Sequence, residues 1–327
     1  MSETKMINLQ WAINHAIAEE IRRDPSVFIV GEDVGKPGGP FGVTRGLIDE
    51  FGAERAVDTP ISEGAIVGLC CGAAASGLRP VAEIMFMNFI TLCVEEFYNQ
   101  ASKMRWMFGA QVKVPMVVRT MTAGGFGAGP HHSSSLEGWF ASMPGMKVVM
   151  PSDAYTAKGL MKAAIRDDNP VLYIEPLSSY TVKCEIPTDD YIMPIGETRT
   201  IQEGTDITIV SVGRMLAEAK KALPKLEEAG ISVELLDLCT VNPLPMEDIY
   251  NSVKKTNRLA IIHEAKETMG IGAEIAAAVQ ENLFDYLDAP VARVAAPFTH
   301  IAFQPLLEKH YLPDADNLIE KVKALIG

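Results

Sequence analysis

The sequence predicts an α/β protein of two units, each a parallel sheet wrapped by helices. Apolar runs of strand length alternate with amphipathic or small-residue stretches of helix length. The 327 residues are 48% hydrophobic yet only 7% aromatic, which suits helix-on-sheet packing better than an aromatic-rich β architecture. That length fits two compact domains. They read as 1–180 and 205–327, joined by a connection over 181–204 that carries Pro187, Asp189, Asp190 and Pro194.

Taken in order, residues 6–23 repeat apolar positions at helical spacing, and Val27 to Val30 is a short buried strand. The stretch from Gly31 to Pro40 is rich in Gly and Pro and reads as loop. A short helix over 46–51 and a short strand over 56–58 follow. A helix of small residues then starts at Glu63. Strands are predicted at 79–84, 114–119, 147–151 and 171–175, with helices at 91–108 and 153–166. The second unit has strands at 206–212, 233–237 and 259–263 and helices at 215–229, 272–287 and from about Asp316. Strands alternating with helices of this length make parallel, doubly wound sheets. No internal repeat or low-complexity tract is present.

The net charge of -13 and the lack of any Lys/Arg block argue against nucleic-acid binding. The five cysteines form no C-x-x-C pair, which suits a reducing compartment over a zinc or disulfide framework. The apolar run from Ile66 to Leu78 is too short and too broken by Gly to span a bilayer. The start of the chain carries no signal-peptide core or Arg-rich transit segment. The expectation is a soluble cytoplasmic protein, or the mature form of one imported into the mitochondrial matrix, with no membrane partner.

Three residues on separate segments suggest an assembled active site. Glu63 opens an apolar helix, where a carboxylate is costly to bury unless it is paired or holds a proton. The bland alternative is a helix N-terminal Glu favoured by the dipole. Phe89 is an aromatic platform or an ordinary core ring in an alternating segment. His132, in His131-His132-Ser133-Ser134-Ser135, titrates near neutrality or is simply a surface histidine. The glycines between Gly124 and Gly129 either let the loop approach a ligand closely or make it flexible.

Five elements in order carry a specific resemblance: Val30-Gly31-Glu32-Asp33-Val34, Asp58-Thr59-Pro60-Ile61-Ser62-Glu63, Gly77-Leu78-Arg79-Pro80, His132-Ser133-Ser134-Ser135 and Val148-Val149-Met150-Pro151-Ser152. Over nearly its whole length the chain resembles the beta subunit of the thiamine-diphosphate-dependent first component of 2-oxoacid dehydrogenase complexes, acetoin dehydrogenase included. The resemblance implies a pyrimidine-binding fold followed by a transketolase C-terminal-like doubly wound α/β domain. It implies that Glu63 hydrogen-bonds the aminopyrimidine of the cofactor, that Phe89 stacks on that ring with Ile61 nearby, and that His132 faces the reaction centre. It also implies a structural potassium site at Met116, Ala164, Ile165, Asp167 and Asn169. Ser134 departs from the family's usual Gln, which puts one local hydrogen bond in question.

In the resembling family an alpha subunit holds magnesium and the diphosphate through a Gly-Asp-Gly element. This sequence has no Gly-Asp-Gly. The resemblance therefore implies half a thiamine diphosphate site, completed by an alpha subunit in a heterotetramer of two alpha and two beta chains. The implied reaction is oxidative decarboxylation of a 2-oxoacid such as pyruvate, or acetoin cleavage, with acyl transfer to lipoamide on an acyltransferase core. The segments at 83–87 and 111–115 are closer to acetoin and pyruvate members than to branched-chain ones. The rival readings are a non-catalytic assembly subunit and a stand-alone transketolase-type synthase.

Overall fold

The computed structural model describes residues 3–327. The first unit runs β1 (Thr4–Asn8), α1 (Leu9–Arg23), β2 (Val27–Gly31), α2 (Leu47–Phe51), β3 (Ala56–Asp58), α3 (Glu63–Ala75), β4 (Arg79–Glu83), α4 (Ser102–Met107), β5 (Val117–Thr122), α5 (Glu137–Ala141), β6 (Lys147–Val149), α6 (Ala154–Arg166), β7 (Val171–Pro176) and β8 (Lys183–Pro187). The second runs β9 (Arg199–Gln202), β10 (Ile207–Ser211), α7 (Met215–Glu228), β11 (Val233–Asp237), β12 (Thr240–Asn242), α8 (Met246–Thr256), β13 (Leu259–Lys266), α9 (Ile271–Leu283), β14 (Ala292–Ala296), α10 (Pro305–Tyr311) and α11 (Ala315–Ile326).

The large sheet has the order β12-β6-β7-β5-β4-β2-β3, and the second sheet β14-β13-β10-β11-β9. Strands β2 to β7 run parallel, buried on both faces by Val, Ile and Leu, as a sheet covered by helices requires. Helices α1 and α6 cover one face, where the buried lysines Lys158 and Lys162 both pair with Glu19 (2.8 and 2.7 Å). Asp153 and Thr156 form a capping box that fixes where α6 begins. The other face shares one apolar core with the second unit, from Val30 and Ile66 to Leu236 and Ile275.

Several elements differ from the expectation. Residues 4–8 pair with β8, so α1 begins at Leu9, where the Asn8 side chain accepts from Trp11 N–H (2.9 Å). The interval 181–204 carries two strands: β8 completes this small ribbon and β9 edges the second sheet. The helix expected over 91–108 is instead a tight 3-10 turn at Phe89–Cys93, a wide π turn at Glu95–Ala101, and α4. Strand β12 leaves the second unit and pairs antiparallel with β6 of the first. The short α5, along with α8, β14 and α10, had no predicted counterpart.

Candidate active site

Glu63, Phe89 and His132 follow the carboxyl ends of β3, β4 and β5 in turn. Because these strands are parallel, their carboxyl ends share one edge of the sheet, where open α/β sheets bind ligands. Beneath that edge, buried Arg119 of β5 bonds Glu175 of β7 through Nε and Nη2 (2.7 Å each) and pairs with Glu83 of β4. Burial raises Glu83 to about 7 against the pull of that guanidinium. The network fixes three strand ends side by side.

Above it, three rings pack edge to face. The His132 imidazole lies 4.7 Å from the Phe86 ring and 5.6 Å from Phe89, and the two phenyl rings are 5.9 Å apart. Phe86 is buried and Phe89 half-buried. The structure makes Phe86 the inner ring against which both others rest. The Nδ1 of His132 lies 3.2 Å from the Ala128 carbonyl. A carbonyl only accepts, so Nδ1 carries a proton and Nε2 is the nitrogen left for a ligand. Neighbouring His131 is exposed.

Asn88 fixes the far side of the histidine loop. Its Nδ2 donates to the Pro130 carbonyl (3.1 Å) and the Ser134 hydroxyl (2.9 Å), and its Oδ1 accepts from Ser134 N–H (3.0 Å). Ser134 thus has a defined local bond in the place where the resembling family carries Gln.

Glu63 stands half-buried in the first turn of α3, where the dipole favours a negative charge. The next residue, Gly64, brings the helix so close to the 89–96 segment that a Cβ there would lie 3.2 Å from the Leu92 carbonyl. This places Glu63 against the turn that presents Phe89. Burial, then Glu96 and Glu63, raises the Cys93 thiol to about 12, as that proximity requires. Burial, then the Glu63 and Asp33 carboxylates, also raises Glu32. Ile61 is 80% exposed on the same turn, and Leu92 is exposed nearby. A half-buried carboxylate and an aromatic cluster on one sheet edge, with exposed apolar side chains on the neighbouring turns, fit a flat, polar-edged heterocycle such as an aminopyrimidine.

The histidine loop owes its glycines to the second unit. A Cβ at Gly129, whose φ is +72°, would overlap the Phe303 ring, and one at Gly124 would overlap the Glu264 carboxylate. The backbone N–H groups of Gly125 and Gly127 donate to the Glu308 carboxylate. Sequence reasoning missed Glu264, Phe303 and Glu308. They lie well over 100 residues away, on strands and helices with no local pattern that marks them.

The five positions matched to potassium do gather, but their oxygens are engaged. Met116 and Ala164 carbonyls accept from Val171 (2.9 Å) and Asp167 (3.3 Å) N–H groups. The Arg79 guanidinium donates to the Ile165 and Asp167 carbonyls (3.0 and 2.9 Å). The Asp167 carboxylate pairs with Lys147, and the Asn169 oxygen accepts from Arg105 (2.9 Å). Three cationic side chains already serve this cluster, so as arranged it does not fit a bare cation. A cleft of about 730 Å³ between Trp139, Lys266 and Met269 includes none of Glu63, Phe89 and His132. Among the described residues, no helix is long and apolar enough to cross a membrane.

The transketolase pyrimidine-binding domain family matches residues 5–183, and the transketolase C-terminal domain family residues 196–318. The chain is 43% identical to the beta subunit of acetoin:2,6-dichlorophenolindophenol oxidoreductase from Bacillus subtilis, over 99% of this chain and 98% of that one. It is 42% identical to the beta subunit of 2-oxoisovalerate dehydrogenase from the same organism, over 96% and 97%. It is 40% identical to the beta subunit of the pyruvate dehydrogenase E1 component of Rhizobium meliloti, over 99% of this chain and 71% of that one. A split-gene transketolase, an inactive beta4 tetramer, shares the fold, with a TM-score of 0.81 over 98% of both chains and 23% identity.

Proposed function

The chain belongs to the family that joins a transketolase pyrimidine-binding domain to a transketolase C-terminal domain, among the beta subunits of dehydrogenase E1 components, and we propose that it supplies the aminopyrimidine half of a thiamine diphosphate site. The other half, with magnesium and the diphosphate, belongs to an alpha subunit, in a heterotetramer of two alpha and two beta chains. The complex oxidatively decarboxylates a small 2-oxoacid, pyruvate first, or cleaves acetoin, and passes the acyl group to lipoamide on an acyltransferase core. A site in the cytoplasm, or in the matrix for a mitochondrial form, goes with this reading.

The observation that carries the reading is the packing of Phe86, Phe89 and His132 on the same sheet edge from which the Glu63 helix starts. Thiamine diphosphate, when bound, supplies the electron sink for cleavage next to a carbonyl. Glu63 holds or shares a proton at the pyrimidine nitrogen. Phe89 offers its ring face for stacking. The Nε2 of His132, free of the loop carbonyl, hydrogen-bonds or exchanges a proton at the substrate oxygen. Exposed Ile61, Leu92, Trp106 and Met107 are the apolar surface that an alpha subunit would cover.

Calorimetric titration with thiamine diphosphate and magnesium tests the reading. Heat of binding is expected from the complex co-expressed with a Gly-Asp-Gly-bearing alpha chain, and none from this chain alone. Tight binding by the lone chain would overturn the half-site reading in favour of a self-sufficient synthase. Turnover of pyruvate, 2-oxoisovalerate and acetoin by the complex would then rank the substrates.

A further inference from the structure

The histidine loop is held from both domains, and the second domain hydrogen-bonds its backbone through one buried carboxylate. Glu308, on α10, is 5% exposed. Its Oε1 accepts from Gly125 N–H (3.0 Å) and Gly127 N–H (3.3 Å), and its Oε2 from Gly127 N–H (3.1 Å). Both glycines have positive φ, +80° and +75°, and their two N–H groups, either side of Phe126, turn toward one anion. Here that anion is a side chain from 180 residues downstream. The ring of Phe303 packs against Gly129 beyond it. Ala128, between these contacts, offers the carbonyl that accepts from His132 Nδ1. The bond that orients the His132 ring therefore rests on a loop that Glu308 holds at Gly125 and Gly127, just upstream of Ala128.

We propose that Glu308 is a positioning residue for His132, a latch by which the C-terminal domain fixes the imidazole over the Phe86 and Phe89 rings. This rests on the reading of His132 as facing the reaction centre. Loss of the carboxylate frees the 124–129 backbone, which lets the Ala128 carbonyl turn away and releases Nδ1. Glu63 and Phe89 sit on other segments and keep their places. The latch therefore acts on turnover and leaves cofactor affinity alone.

The test uses the complex with the alpha subunit and three variants: Glu308→Ala, Glu308→Gln and His132→Ala. Steady-state turnover of pyruvate and of acetoin, thiamine diphosphate titration, and hydrogen exchange at the 124–129 amides are measured on each. Glu308→Ala is expected to lower kcat by roughly ten- to a hundred-fold, the cost of a misplaced reacting group. KM and the cofactor Kd should stay within about twofold, while the Gly125 and Gly127 amides lose protection. Glu308→Gln, whose amide oxygen still accepts both N–H groups, should recover most of the activity and protection. Wild-type kcat in Glu308→Ala, alongside a crippled His132→Ala, would overturn the latch and leave the reading of His132 standing. Full activity in His132→Ala would overturn that reading, and the latch with it. If Glu308→Ala fails to fold, Glu308→Gln with unprotected loop amides and unchanged kcat would overturn the latch on its own.

Discussion

Asn88 and Ser134 are joined twice, amide to hydroxyl at 2.9 Å and amide oxygen to backbone N–H at 3.0 Å, and this double bond pins the histidine loop to the turn that presents Phe89. Asn88 also donates to the Pro130 carbonyl on the other side of His132 (3.1 Å). Replacing Asn88 by Ala would leave three loop groups without their partner. Leaving such groups unpaired costs about 1–3 kcal/mol. Asn88→Ala should lower the unfolding free energy by that order and reduce kcat about tenfold. Ser134→Ala removes only one acceptor and should cost about 0.5–1.5 kcal/mol. Denaturant unfolding of both variants checks the ranking; equal effects would mean that the hydroxyl, and not the side-chain amide, holds the loop.

The two-unit parallel architecture was legible because each buried strand is a run of Val, Ile and Leu with a helix of readable period behind it. The elements that escaped are those set by distant partners. Residues 6–8 read as the start of a helix until β8 pairs with 4–8 across the chain. Strand β12 is three residues long and belongs to the other unit's sheet, which no local pattern announces. The helix expected over 91–108 breaks because Gly64 brings α3 against the Leu92 carbonyl and Glu96. Glu63, Phe89 and His132 could be named from flanking motifs, whereas Asn88 and Glu308 are visible only once the loop has folded. The glycines of 124–129 show the limit well. Flexible loop and close approach were equal readings, and the close approach turns out to be to Glu264, Glu308 and Phe303.

Glu63 provides the direct test of the proposed chemistry. A Gln in its place keeps size and packing but no longer carries a titratable carboxyl. Proton transfer by a positioned side chain is worth about 10²–10⁴-fold. Glu63→Gln should therefore lose at least about a hundred-fold in kcat with the heterotetramer intact on size exclusion. The half-buried position limits the stability change to a small one. Wild-type turnover in this variant would remove Glu63 from the mechanism and return it to the role of a helix-start carboxylate.

Stability should fall between about pH 4.5 and 7, and Glu264 is one source. Burial lifts its carboxyl to about 7, opposed by Arg214, whose Nε is 2.8 Å away, and reinforced by Glu137 and Glu308. An unfolded Glu titrates near 4.3. Between those values the folded chain holds a proton that the unfolded chain has released. The stabilisation is complete below the unfolded value and disappears as pH rises through 7. The full effect is on the order of 3 kcal/mol for one such group. Glu83 and Asp237, each also near 7 through burial, add in the same direction. Thermal unfolding from pH 5 to 8 should show this decline, and Glu264→Gln should be flatter over the same interval. An unchanged slope in that variant would place the titration on the other two carboxyls.

Arg79 donates to the Ile165 and Asp167 carbonyls, two of the oxygens that a monovalent cation there would need. Its Nη2 also bonds Asp168 (2.8 Å), so the guanidinium is held at three oxygens around one turn. An ion could enter only by displacing it, and Lys147 and Arg105 would repel the newcomer. The complex should therefore melt at the same temperature, within about a degree, in potassium and in choline chloride at equal ionic strength. Arg79→Met empties the cradle of its charge while keeping an apolar stem of similar length. That variant should be destabilised by about 1–3 kcal/mol, the cost of unpairing buried acceptors, and should regain part of the loss in potassium but not in choline. Potassium that raises the melting temperature of the unsubstituted complex by several degrees would show that the guanidinium yields to the ion.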